Sequence, residues 1–340
     1  MPKYLSKSLL LLAFAVAICC IVYPAALLAA GQLAFPFQAN GSILKGADGK
    51  VIGSRLIAQP FTKDEYFWPR PSAAGSGYDA SASSSSALAP SNYALRNRVA
   101  QMLGPIATYK GGAKDGQAVG PDIEAWFQKD IYQGNPRIVA QWATIHNSVA
   151  QAWVGADPSH GSYVDAWAKA HPSVVSQFIK DNPGTPKPQA SDLANLFFQS
   201  FSSEHPGAFP GAVTVNDSKG QSVTTVQPVK AGSDIQSNFF DMWRQEHPDV
   251  ALEDVPGDYV TSSASGLDPD ITLQNAEYQL GRVSAKWAED LKRSAGDVKA
   301  EIESVLQKEA KAPLGGLAGE KLVNVLELNL VLRGRYGEPK

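Results

Sequence analysis

Between Leu9 and Ala30 the chain runs for twenty-two residues without a charged side chain. As a helix this stretch is about 33 Å long, enough for a hydrocarbon core of about 30 Å. A secretory leader is the alternative, because Ala29, Ala30 and Gly31 put small residues at cleavage offsets. The apolar part of a leader runs to only about 7–15 residues, so the length favours a retained membrane helix. Ile18 before Cys19, where a small residue is required, argues against a lipoprotein. Pro24 inside the span predicts a local kink. Lys3 and Lys7 precede the span and the next charge is Lys45. The positive-inside bias then predicts a cytoplasmic N-terminus over residues 1–8, a single span over 9–30 and an exported remainder. Both cysteines, Cys19 and Cys20, fall within the span. The exported part therefore carries no thiol, which suits an oxidising compartment.

A formal net charge of -3 excludes nucleic-acid binding by bulk positive charge. After the span, Gly41–Leu44 and Lys50–Ser54 flank Ala47-Asp48-Gly49, the pattern of a β-hairpin. Tyr66-Phe67-Trp68-Pro69-Arg70-Pro71 must be extended, since two prolines so close exclude helix. Ser81–Ser86 reads as a loop, a flexible linker being the alternative. Towards the C-terminus, Thr272 caps a predicted helix with Ala276, Leu280, Val283, Trp287 and Leu291 on one face. Asp297 begins another helix, and 322–332 predicts a strand followed by a helix.

From Gly104 to Glu253 the character changes, and all five histidines lie there. Asn135-Pro136 predicts a helix start, and Ile138, Trp142, Ile145, Val149 and Trp153 one continuous apolar face. A pattern of an aromatic, three residues, then His, Asn or Asp before Pro occurs at Trp153–Pro158, Trp167–Pro172, Phe178–Pro183, Phe201–Pro206 and Trp243–Pro248. Its spacing is too irregular for a solenoid. A helix stop, with the aromatic closing the core one turn earlier, is the physical reading. Alternation over 212–226 predicts one β-hairpin among these helices.

Catalytic patterns are sparse. The chain has no phosphate loop, no Gly-x-Gly-x-x-Gly and no Gly-x-Ser-x-Gly. Ser42-Ile43-Leu44-Lys45 matches a penicillin-binding nucleophile motif, but its companions are missing and it sits on the expected hairpin. His146, His160, His171, His205 and His247 have no metal-ligand spacing. Asp268 and Asp270 around Pro269 could offer oxygen to a hard cation; a turn with acids at a helix start is the simpler account.

Taken in order, these blocks resemble one family, the C subunit of the Kdp potassium-transporting ATPase, a bacterial P-type pump complex. The N-terminal blocks are Val22-Tyr23-Pro24, Phe35–Ser42 (with Gln38, Asn40 and Gly41), Val51–Ser54, Leu56–Thr62 and Tyr66–Ala73 (with Arg70 and Pro71). The C-terminal blocks are Ala264-Ser265-Gly266-Leu267-Asp268-Pro269-Asp270-Ile271 and Val323–Leu330 (with Asn324, Glu327 and Asn329). Tyr23, Pro24, Gln38, Asn40, Gly41, Arg70, Pro71, Ser265, Gly266, Leu267, Asp268, Asn324, Glu327 and Asn329 are the candidate subunit-contact or motif positions. Two departures stand out: Ser84-Ser85-Ser86-Ala87 replaces a Gly-Gly-Ser-Asn stretch, and Asp270 stands where histidine is frequent.

The expected fold class is α+β: a membrane helix, then an exported domain of the family's kind over 31–103 and 254–340, interrupted at 104–253 by a mostly helical insertion with one β-hairpin that the family does not usually carry. The resemblance implies a non-catalytic inner-membrane subunit needed for assembly and activity. Its partners would be the channel-like A subunit, the ATP-hydrolysing B subunit, the small F subunit and membrane lipid. ATP is the implied nucleotide, met only in complex with the B subunit, whose ATP affinity the family's C subunit is described as raising; no cofactor is expected on the chain alone. The small residues Ala13, Ala17, Ala25 and Ala29 are the expected helix-packing stripe. A second possibility is an anchored module binding a partner or the cell wall, if Trp126, Trp142, Trp153 and Trp167 form an exposed aromatic surface.

Overall fold

A computed structural model describes residues 2–46, 49–86, 88–216, 222–317 and 319–339, with backbone alone at residues 2, 3 and 314. The chain divides into two compact units. One comprises Met1–Ala87 with Pro256–Lys340, the other Leu88–Val255.

The first unit begins with helix Pro2–Ala17, a π-helical turn at Ile18–Val22 and helix Tyr23–Ala34. Tyr4–Ala34 is long and apolar enough to cross a membrane. Pro24 explains the π turn. It has no N–H to donate, and its ring would strike the carbonyl four residues back. Widening one turn relieves this: the Tyr23 N–H reaches Ile18 O, five residues back. The kink expected at Pro24 thus takes the form of a wide turn.

Beyond the helix, Ile43–Lys45 pairs antiparallel with Val51–Ser54, as expected for a hairpin. Its turn residues Ala47 and Asp48 lie outside the described residues. Ser42 and Lys45 therefore flank and end a strand, not a helix start. Asp270–Thr272 pairs antiparallel with Leu322–Asn324. Each strand runs directly into a helix, Leu273–Leu291 and Val325–Tyr336. Both helices start on side-chain caps: Thr272 Oγ1 accepts from Asn275 N at 3.1 Å and Asn324 Oδ1 from Glu327 N at 3.1 Å. Helix Ala295–Glu309 follows the first. Phe67, Ile271, Leu280, Val283, Trp287, Ile302, Leu306, Leu328 and Leu332 form their common core.

The second unit is mostly helical around an aromatic core. Trp142 meets Phe198, Phe209 and Phe239 at ring-centroid distances of 5.0, 5.4 and 5.7 Å. Helix Tyr93–Leu103, assigned by sequence to the flanking segments, belongs to this unit, where Arg96 Nη2 lies 2.6 Å from Asp241. The helix-stop pattern is physically specific. His171 and His247 donate from Nδ1 to the carbonyls of Trp167 and Trp243, at 2.9 and 2.8 Å. Their rings stack on the same tryptophans at 5.0 and 4.7 Å. Asn182 Nδ2 makes the equivalent bond to Phe178 O at 2.9 Å. At His171 and His247 one side chain thus bonds a carbonyl of the last helical turn and covers the core aromatic, and the following proline forbids another turn. At Trp153 the roles are divided: Asp157 caps the next helix through Ser159 N, while His160 stacks at 3.9 Å and bonds Trp153 O at 2.7 Å.

Three expectations for this unit are corrected. Asn135-Pro136 is no helix start; it pairs with Ile131–Tyr132 across Gln133-Gly134, both with positive φ (48° and 79°) as in a tight two-residue hairpin. The helix begins at Ile138 instead, because the Asp130 carboxylate accepts from Ile138 N at 3.0 Å and Arg137 Nη1 at 2.8 Å. The unit therefore holds a second hairpin besides Phe209–Asn216 with Ser222–Val229, whose turn at 217–221 lies outside the described residues. The apolar face from Ile138 to Trp153 is two helices, Ile138–Ile145 and Asn147–Ala156, broken where His146 leaves helical geometry (φ -112°, ψ 45°). His146 is drawn into the interior, with Nε2 3.8 Å from Asp241.

Candidate functional site

The extended segment Tyr66–Ser72 organises the motif residues of the first unit. Its backbone crosses the interior without a partner strand, so its polar groups need partners from side chains. Two primary amides supply them. Asn329 accepts from Phe67 N at 2.9 Å and donates to Phe67 O at 2.9 Å. Gln279 accepts from Trp68 N at 2.7 Å and donates to Trp68 O at 3.0 Å. Each amide thereby imitates an adjacent strand, and both residues are buried. Arg282 holds the same segment from outside. It lies 3.7 Å from the Trp68 ring and donates to Asp64 O and Tyr66 O at 2.8 and 3.1 Å.

The next residues lock this segment to Thr261–Asp268. Arg70 donates to Thr261 O and Ser262 O at 3.3 and 3.1 Å, and lies 3.8 Å from Asp268. Pro71 has no N–H, and Ser72 Oγ beyond it donates to Gly266 O at 2.5 Å. The Tyr78 hydroxyl donates to Arg70 O at 2.9 Å, and burial pushes its pKa up to about 12. Gly266 sits at φ +69°, and a Cβ there would stand 2.5 Å from Ser84 O and 2.8 Å from Ala74 N. Ser265 O accepts from Ser84 N at 3.0 Å, which anchors the serine-rich stretch. Leu267 O accepts from Ala58 N at 2.9 Å.

A charged cleft of about 260 Å³ lies beside the strand pair, lined by Arg55, Asp270, Lys311, Asn324 and Glu327 among others. Asn324 Nδ2 donates to Arg55 O and Asp270 Oδ1, both at 3.0 Å, and Arg55 pairs with Glu327 at 3.2 Å. Asp268 Oδ1 accepts from Asp270 N at 3.1 Å, the turn geometry expected around Pro269. Among the described residues no group of three or more His, Cys, Asp or Glu could hold a metal ion.

Burial pushes the Asp270 carboxyl above the usual carboxylate range, against the bond from Asn324. A carboxyl raised on folding contributes stability below its ordinary pKa of 3.8 and loses it as pH rises through the folded-state value. At neutral pH the Asp270 charge is therefore a net penalty. Asp270→Asn is expected to melt at higher temperature than the parent at pH 7, with the gap narrowing on acidification. Melting curves across that pH range check this.

The remaining candidates lie within the apolar helix or just beyond its end. Tyr23 and Pro24 lie in the helix itself. Asn40 and Gln32 exchange side-chain bonds at 3.1 and 3.3 Å, and Asn40 also donates to Pro36 O at 2.6 Å. Gln38 O accepts from Gly41 N at 3.0 Å, and Gly41, at φ +80°, accepts from Ser54 Oγ at 2.7 Å. Gln38, Asn40 and Gly41 thus build a tight helix exit, apart from the clamped segment. Sequence reasoning missed Gln279, Arg282, Arg55, Ser72 and Asp258, the last accepting from Thr272 N at 2.8 Å. A polar pair at helical spacing, Asn275 and Gln279, was the available signal.

The family model for KdpC, the K+-transporting ATPase c chain, matches residues 5–123 and 197–334. The chain belongs to the KdpC family. The match omits 124–196, so its break falls within the second unit. Proteins described as potassium-transporting ATPase KdpC subunit are similar to it. That of Caulobacter vibrioides (strain NA1000 / CB15N) is 58% identical over 79 residues, 23% of this chain and 40% of the relative. That of Mycobacterium tuberculosis (strain CDC 1551 / Oshkosh) is 50% identical over 103 residues, 30% of this chain and 54% of the relative. The aligned regions thus span about two fifths to half of these curated relatives.

Proposed function

We propose that the chain is a non-catalytic, membrane-anchored accessory subunit of an ATP-driven potassium import complex. The observation that carries this reading is the KdpC family match, which includes the apolar helix and both ends of the clamped segment. The asymmetry of Lys3 and Lys7 against an uncharged far side orients residues 1–8 to the cytoplasm and the two units outside. The partners are a potassium-pathway A subunit, an ATP-hydrolysing B subunit and the small F subunit, in the inner membrane. Small residues at Ala13, Ala17, Ala25 and Ala29 suit helix contact there.

With both units on the far side of the membrane from cytosolic ATP, they do not touch it directly. A rise in ATP affinity on the B subunit then travels through the membrane subunits as a coupling free energy between distant sites. The aromatic-surface alternative loses its surface, because Trp126, Trp142, Trp153 and Trp167 are all buried. Deleting the chain in its own cell should abolish growth at limiting potassium while leaving growth at ample potassium intact. Growth at limiting potassium without the chain, through a transporter that still needs the A and B subunits, would refute the role.

A further inference from the structure

Helices Ile138–Ile145 and Asn147–Ala156 meet at His146, whose backbone serves both. Its N–H donates to Trp142 O at 2.8 Å, and its carbonyl accepts from Val149 N and Ala150 N at 2.8 and 3.0 Å. Whatever moves this residue therefore disturbs the ends of two helices.

The imidazole is enclosed, but its polarity is poorly met. His146 is 8% exposed, and Nε2 is sealed from solvent with no hydrogen-bond partner. Asp241 Oδ2, at 3.8 Å, is too far for a hydrogen bond. That carboxylate is also occupied: Arg96 Nη2 reaches Oδ1 at 2.6 Å and Gln245 Nε2 reaches Oδ2 at 2.9 Å. The free space beside the ring is only about 10 Å³, room for about one water. The charged groups that act on the ring are Asp241 from helix Ser233–Glu246 and Arg96 from helix Tyr93–Leu103. Asn97, Gln101, Ser237 and Asn238, from the same two helices, are neutral. Helix Ala194–Glu204, packed on Ile138–Ile145, brings the neutral Asn195 to Ala143 O at 3.1 Å.

With a neutral ring, Arg96 and Asp241 balance each other. A protonated ring sets two positive charges against one carboxylate, with no acceptor in hydrogen-bond reach of Nε2 and too little space for hydration. We infer that His146 is an acid-sensitive latch: neutral, it holds the two helices at their junction; protonated, it leaves the interior and releases them. Burial depresses the imidazole pKa below its ordinary 6.5, outweighing the attraction of Asp241. A histidine depressed on folding contributes stability that is present above 6.5 and lost as pH falls through the folded-state value.

The test is hydrogen–deuterium exchange of the full chain in lipid nanodiscs from about pH 8 to about pH 5, with rates corrected for the intrinsic effect of pH. Protection of the amides across 142–153 should fall severalfold on acidification. Exchange at the imidazole C2–H should give His146 a midpoint below 6.5 that coincides with this opening. The first unit, which contains no histidine, should show no such loss. His146→Phe keeps a buried ring that cannot charge. It should abolish the acid response of the junction, although His160, whose Nε2 is also sealed, remains. Should that variant not fold, the two midpoints in the parent chain decide alone. Unchanged protection across the junction, a His146 midpoint at or above 6.5 or apart from the opening, or the same acid response in folded His146→Phe would each overturn the inference.

Discussion

Asn329→Leu is expected to destabilise the first unit by about 2–6 kcal/mol, because it strips partners from two buried backbone groups at once. Asn329 is fully buried and holds both Phe67 N and Phe67 O at 2.9 Å. Leucine is close in size, so the loss comes from unmet hydrogen bonding and not from a cavity. Asn329→Asp separates the two bonds. Its carboxylate can accept from Phe67 N, but it opposes Phe67 O until protonated. That carboxyl's pKa should be raised on folding, so its variant should recover towards the parent as pH falls and lose stability again as pH rises. Hydrogen exchange at Phe67 and Trp68 reads the clamp directly. Unchanged protection at these amides in Asn329→Leu would show that the amide is not what holds them.

Gly266→Ala is the second large effect, at about 3 kcal/mol or more. Two costs add. At φ +69° any L-residue pays about 1–2 kcal/mol, and the new Cβ meets backbone atoms, 2.5 Å from Ser84 O and 2.8 Å from Ala74 N. Backbone cannot rotate away as a side chain can, so the Ser83–Ser84 anchor and the Ala73–Ala74 turn must separate. Gly134→Ala isolates the first cost, since Gly134 has φ +79° and nothing within 4 Å of its added Cβ. Melting and limited proteolysis of the two variants should therefore differ, with cleavage near Ser81–Ser86 rising only in Gly266→Ala. Equal effects would mean that the close approach costs nothing.

Local chemistry was legible wherever one residue type has one structural consequence. Proline excluded helix from Tyr66–Pro71 and marked the stops at His171, Asn182, His205 and His247. Thr272 and Asn324 announced their helices as caps. Failures arose where a distant residue decides. The helix across His146 breaks although its apolar spacing is unbroken, because the imidazole turns inward towards Asp241, nearly a hundred positions away in the chain. Asn135-Pro136 has ideal helix-start chemistry, yet Asp130 takes the capping role from outside the local window. The clamp was missed for a similar reason. Asn275 and Gln279 share one helix face, but the backbone that Gln279 binds, at Trp68, is 211 positions away in the chain.

The family motif positions also divide by physical role. Arg70, Ser265, Gly266, Leu267, Asp268 and Asn329 hold the clamped segment and its neighbouring loop. Asn324 and Glu327 line the charged cleft, and Gln38, Asn40 and Gly41 shape the helix exit. The clamp is thus structural, whereas Asn324 and Glu327 in the cleft are half-buried and Gln38 and Asn40 at the helix exit are exposed.

The proposed role is to complete a potassium-transporting ATPase without doing its chemistry. Native membranes expressing an affinity-tagged full chain test it most directly. The tagged chain should recover the A, B and F subunits together, and the purified assembly should hydrolyse ATP in response to potassium. The same subunits purified through a tagged A subunit from cells lacking the chain should lose that potassium response. Recovery of the chain without A and B, or potassium-stimulated hydrolysis at full rate in its absence, would contradict the account.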